Sequence, residues 1–87
     1  MQKYRVFFKS SADRALQKLP HEMQRRIVGD VAMLAHDPRP AGTVKLADGD
    51  NLWRIRVGNY RMVYEIHDDR LVVLVLRVAH RKDVYRQ

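Results

Sequence analysis

The chain is 87 residues long, enough for one domain with one core, since a domain of this size buries only about 60–65% of its unfolded surface. Hydrophobic residues make up 46% and charged residues 31%, which excludes a disordered chain, and the lack of cysteine excludes disulfides, thiolate metal sites and cysteine nucleophiles. Seventeen Lys and Arg against ten Asp and Glu leave a net charge of +7, an excess that favours a polyanionic partner, and the preponderance of Arg over Lys suits bidentate contact with phosphate.

Residues 4–8, "YRVFF", combine aromatic and β-branched side chains and predict a strand that ends at a helix cap on Ser10-Ser11. In the helix that follows, Ala12, Ala15, Leu16 and Leu19 recur at helical spacing and make one apolar stripe, until Leu19-Pro20 breaks it. A second helix is predicted from about Pro20 to His36, with Met23, Ile27, Val31 and Leu34 inward, and Asp37-Pro38 stops it. The short connection makes the two helices a hairpin that covers one face of a sheet. The segment "DPRPAGTVKLADGDN" reads as a long irregular link.

Three strands follow: Leu52 to Val57, Tyr60 to Ile66 after a two-residue turn at Gly58-Asn59, and Leu71 to Ala79 after a turn at "HDDR". The run "LVVLVL" is apolar on both faces and marks a central strand, with Trp53 and Leu74 as expected core residues. The sum is an α+β fold in a single domain spanning 1–87: an N-terminal strand, a two-helix hairpin, then three antiparallel strands in one sheet with the helices on one face. No apolar run approaches the ~20 residues of a membrane span, and the basic start "MQKYRVFFKS" lacks the apolar stretch of a signal peptide, so a soluble, cytoplasmic setting is expected.

Alternation sorts the strand residues. Trp53, Ile55, Val57, Tyr60, Met62 and Tyr64 point toward the helices; Leu52, Arg54, Arg56, Arg61, Val63 and Glu65 point to the open side. With a two-residue turn, Arg56 lies directly across from Arg61, an arrangement that destabilises a sheet unless an anion sits between them. Cleaving RNA without a metal requires a 2′-OH to lose a proton, charge on the phosphorane oxygens to be held, and the 5′-oxygen to gain a proton. Arg54, Arg56 and Arg61 fit the second task. His80, which titrates near neutrality, and Tyr85, a phenol among cations, are candidates for proton transfer. His21, His36, His67 and His80 are scattered and Asp68-Asp69 belongs to a turn, so neither a metal nor another cofactor is expected.

Four stretches in this order, "ALQKLP", "HDPRPAGTVKL", "LWRIRVGNYRMVYEI" and "VLRVAHRKDVYR", resemble the RelE branch of the RelE/ParE toxin superfamily over essentially the whole chain. The resemblance implies a RelE-like toxin of a type II toxin–antitoxin system, a ribosome-dependent endoribonuclease that cleaves mRNA in the ribosomal A site and is silenced by an acidic, RelB-like antitoxin. Catalytic roles then fall on Arg54, Arg56, Arg61, Arg81 and Tyr85, and RNA contacts on Lys45, Arg77, His80, Lys82 and Arg86. Its partners would be the antitoxin, the ribosome and mRNA, with operator DNA reached only through the antitoxin complex and no membrane. Two readings stand beside this one: a ParE-like gyrase inhibitor without nuclease activity, and a nucleic-acid-binding module without turnover.

Overall fold

The structure, a computed structural model, describes residues 3–47 and 51–80. The elements run β1 (Arg5–Phe8), α1 (Ser10–Gln17), α2 (His21–His36), β2 (Val44–Lys45), β3 (Leu52–Val57), β4 (Tyr60–His67) and β5 (Val72–His80). The expected α+β fold is present, with one addition: the link after the second helix contains the two-residue strand β2. Helix α1 starts directly at Ser10, with Lys9 as its cap and no capping side chain, so the Ser10-Ser11 pair serves as first turn and not as cap. Pro20 caps α2 in an extended conformation, and the Gln24 side chain reaches back to donate to the carbonyls of Gln17 and Leu19. Those bonds occupy carbonyls that the end of α1 leaves without helical partners.

The five strands form one sheet in the order β1-β5-β4-β3-β2. All pairs are antiparallel except β1 and β5, which run parallel with Arg5 opposite Val72 and Phe8 opposite Val75, so the sheet is mixed. The β3–β4 hairpin has the register that alternation predicts, from Leu52 opposite Glu65 to Val57 opposite Tyr60. Its loop places Gly58 at φ +60, the positive value that a type II′ turn demands of its first central residue. A Cβ there would also come within 3.3 Å of the side-chain ends of Arg26 and Met23 on α2, which would have to shift slightly to admit it. The β4–β5 turn is less relaxed: Leu71 sits at φ 54, where a branched side chain costs roughly 1–2 kcal/mol, and its carbonyl accepts the Arg5 N–H at 2.8 Å.

Both helices pack on one face of the sheet. Ala12 and Leu16 of α1 with Ile27 and Leu34 of α2 close over Val57, Met62, Tyr64, Ile66, Val73, Val75 and Val78. Trp53 joins this core at its margin, half-buried. Leu74 does not. On β5 the inward positions are Val73 and Val75, so alternation sends Leu74 to the open side, where it is half-buried. Then a bulge shifts the pairing: Tyr64 faces Val75 while Val63 faces Arg77, and beyond it Val78 points inward. A strand apolar on both faces offers no sequence cue to which parity is inward.

Leu34 is fully buried on α2, so Leu34→Ala is expected to cost about 2–5 kcal/mol. Leu74→Ala, on the open side, is expected to cost clearly less, because part of its surface already meets solvent. Denaturant midpoints of the two variants compare them, and equal losses would contradict the parity assigned to β5.

Candidate functional site

The open face of the sheet is where the arginines gather. Cross-strand pairing sets Arg56 beside Arg61, which faces Ala79 of β5; the next row runs Val44, Arg54, Val63, Arg77. Arg54, Arg56 and Arg61 line a cleft of about 320 Å³ whose wall is supplied by Gly42 and Val44. Arg61 is only 6% exposed although it is charged, so its guanidinium is held inside the cleft by the strand and not free to swing into solvent. Burying a charge is expensive, and placing it across from a second arginine raises the cost. Among the described strand residues Glu65 is the only carboxylate; it lies four residues from Arg61 along β4, and its Oε1 is 2.9 Å from His67 Nε2. The cleft brings three arginines together beside Gly42 and Val44, an arrangement suited to an anion.

The register separates residues that the sequence reading grouped. Arg77 belongs to the arginine face. His80 pairs with Tyr60, and the two rings meet edge-on at 5.3 Å between centroids, on the helix side of the sheet. The expectation that His80 sits at the edge of the arginine patch is thus corrected: the bulge on β5 decides the parity beyond it. Lys45 pairs with Trp53, and its Nζ lies 5.8 Å from the indole centroid, also on the helix side. Arg81, Lys82, Tyr85 and Arg86 lie outside the described residues. Among the described residues no three of His, Cys, Asp and Glu gather as a cation site, and no helix is long and apolar enough to cross a membrane.

What fixes the cleft wall went unnoticed in the sequence. The chain between α2 and β2 is tied down at Arg39, whose guanidinium donates to both carboxylate oxygens of Asp68, at 3.3 and 2.8 Å, and lies 4.8 Å from the Trp53 ring centroid. Tyr4 donates its hydroxyl to the same carboxylate. On either side of Arg39 the fully buried Tyr64 holds the same segment: it donates to the Pro38 carbonyl at 2.9 Å, and its oxygen lies 3.3 Å from Thr43 Oγ1. Residues 38–43 are so held from two sides, and Gly42 and Val44 stay in place over the arginines. Burial pushes the Tyr64 phenol up from its ordinary value, consistent with a neutral hydrogen-bond donor. The bonds from Arg39 and Tyr4 hold the Asp68 carboxyl below the ordinary aspartate range.

A carboxylate whose folded value is depressed contributes stability above its unfolded pKa, near 3.9, and loses that contribution as pH falls through the lower folded value. Asp68→Asn is therefore expected to be less stable than the parent at neutral pH, with the difference shrinking below about pH 4. Thermal midpoints of both proteins from pH 7 to pH 2.5 measure it. A difference independent of pH would show that the ion pair contributes nothing.

Comparison with known proteins follows this geometry. Residues 6–85 match the family model described as the ParE toxin of the type II toxin–antitoxin system parDE. Toxin RelG of Mycobacterium tuberculosis is 35% identical over 88 residues, covering 97% of this chain and 98% of that protein. Among solved structures, the archaeal RelE–RelB complex from Pyrococcus horikoshii OT3 superposes with a TM-score of 0.81 at 30% identity, covering 90% of this chain and 94% of the other. The toxin–antitoxin complex RelBE2 of Mycobacterium tuberculosis gives the same TM-score at 33% identity, covering 93% and 94%. The family model bears the ParE name while these relatives are RelE-type toxins, and the two branches share one superfamily. The chain belongs to the RelE/ParE superfamily of type II toxin–antitoxin toxins, as a RelE-type member.

Proposed function

We propose that this toxin is an endoribonuclease that cleaves mRNA in the ribosomal A site, using the arginine cleft to hold the scissile phosphate. The observation that carries the reading is Arg61, a buried guanidinium paired across the strand with Arg56 and opening on the same cleft as Arg54. Attack of a 2′-oxygen on phosphorus forms the new P–O bond as the bond to the 5′-oxygen breaks, and negative charge builds on the two non-bridging oxygens in between. Preorganised cations stabilise that charge more than they stabilise the starting diester. None of the three arginines can act as base, since guanidinium stays protonated in proteins. The 2′-OH must lose its proton elsewhere. With His80 facing Tyr60 across the sheet from the cleft, Tyr85 becomes the better candidate for proton transfer, and Arg81 for a further phosphate contact; both assignments rest on the sequence resemblance.

Arg61→Ala is expected to lower single-turnover cleavage of mRNA on programmed ribosomes by about 10²–10³. Arg61→Lys keeps the charge but not the planar fork, so a partial loss would show that two parallel hydrogen bonds are needed. Should both variants cleave at the parent rate, the cleft is not catalytic. The ParE name of the matching family model makes a gyrase supercoiling assay the second measurement in that case.

The structures of the relatives hold a RelB antitoxin, and we take a RelB-like acidic protein as the partner of this toxin. At +7 the toxin should attract it from a distance, so the association rate is expected to fall steeply with salt while dissociation changes little. Stopped-flow binding across a salt series measures this, and an association rate indifferent to ionic strength would remove the electrostatic account.

A further inference from the structure

On β1 the residues alternate cleanly: Val6 and Phe8 pack against the core, whereas Arg5 and Phe7 point to the open side. Phe7 is 48% exposed, an aromatic ring lying on the same face as the arginines. Its neighbour in the row is Leu74, followed by Glu65 and Leu52, and the row beside that one holds Arg77 and Arg54. The Arg5 guanidinium carbon is 5.7 Å from the Phe7 ring centroid. From Phe7 to Glu65 in the same row is two strand spacings, ~10 Å, and Arg61 lies four residues, ~13 Å, further along β4, so an extended strand of nucleic acid crosses from ring to cleft within a few nucleotides.

We infer that Phe7, flanked by Arg5, is a stacking platform for an unpaired base of the RNA whose phosphate enters the arginine cleft. A single exposed apolar side chain needs no explanation by itself. This one lies on a sheet face that, among the described strand residues, carries Arg5, Arg54, Arg56, Arg61 and Arg77 and one carboxylate, Glu65. Leu74 and Leu52 in the same row are half-buried, so Phe7 is the side chain of that row that stands out into solvent. An aromatic ring among cations suits a base, because every base has a π-face and every nucleotide a phosphate, and sheets that bind single-stranded RNA use strand aromatics in this way. The platform sets where the substrate lies and does not take part in bond making. The inference rests on the RNA reading of the cleft and extends it to a second contact.

The test uses the full-length toxin and a 2′-O-methyl hexaribonucleotide, which cannot be cleaved. Phe7→Ala is expected to weaken its binding by about ten- to a hundredfold, with the dependence on salt unchanged because no phosphate contact is lost. Arg5→Ala should instead flatten the salt dependence. Phe7→Trp should bind like the parent, with indole fluorescence quenched as the base stacks, measured against the parent's Trp53 signal. Phe7 is exposed, so the thermal midpoint of Phe7→Ala should stay close to the parent's and confirm a folded protein. Unchanged affinity in Phe7→Ala overturns the platform, as does a loss of affinity for the antitoxin with RNA binding intact. A parent toxin that cleaves mRNA on ribosomes yet fails to bind the hexamer also overturns it, while leaving the catalytic reading of Arg61 standing. Loss of cleavage in Phe7→Ala alone, without a change in binding, counts against it too.

Discussion

The pairing of Val57 with Tyr60 governs the molecule. A slip of one residue in that hairpin would carry Met62, Tyr64 and Ile66 out of the core and bury arginine beneath the helices, since side chains in a strand alternate between faces. Gly58 secures the turn through its positive φ, and the ends of the Arg26 and Met23 side chains of α2 close over the hairpin tip. Core and cleft are consequently two sides of one strand. The inward strand residues, seven of them buried, supply the hydrophobic drive, and the register they impose forces the like charges of Arg56 and Arg61 together.

This shared origin explains what could be read from the sequence. Helix stripes, the hairpin register and the arginine face all follow from short-range periodicity, and each was legible: Ile27 and Leu34 by helical spacing, Arg54 and Arg56 by alternation. Where periodicity gives no answer, reading failed. The parity of β5 was hidden because Leu74 is as apolar as Val73 and Val75, and the bulge before Arg77 leaves no mark in residue type. Strand β2 is two residues long and pairs only at the sheet edge, too short for any pattern. Asp68 looked like a turn residue; its partners Arg39 and Tyr4 lie 29 and 64 positions away, and such contacts exist only once the chain has folded.

Those distant contacts set the shape of the cleft. The sheet supplies the arginines, but the wall over them is irregular chain, and irregular chain holds its place only through specific bonds. Arg39 brings three kinds of interaction to one point: an ion pair with Asp68, a stack on Trp53, and an indirect link to Tyr4 through the shared carboxylate. Tyr64 performs the matching role from inside the core, with its ring packed among aliphatic side chains and its hydroxyl spent on Pro38. The consequence is a cleft made on one side by strand and on the other by a pinned loop.

The parallel contact between β1 and β5 joins the first strand to the last. While the chain is being made, β1 has no neighbour: Val6 and Phe8 must wait for Val73 and Val75, and the α-helices that follow have only part of a sheet to cover. Long-range pairing of this kind is paid for in loop entropy before any contact repays it, which slows folding. A nascent chain that has not yet released β5 accordingly lacks Arg77, a completed open face and a closed core. Core and arginine face are thus completed in the same step, when β5 takes its place between β1 and β4.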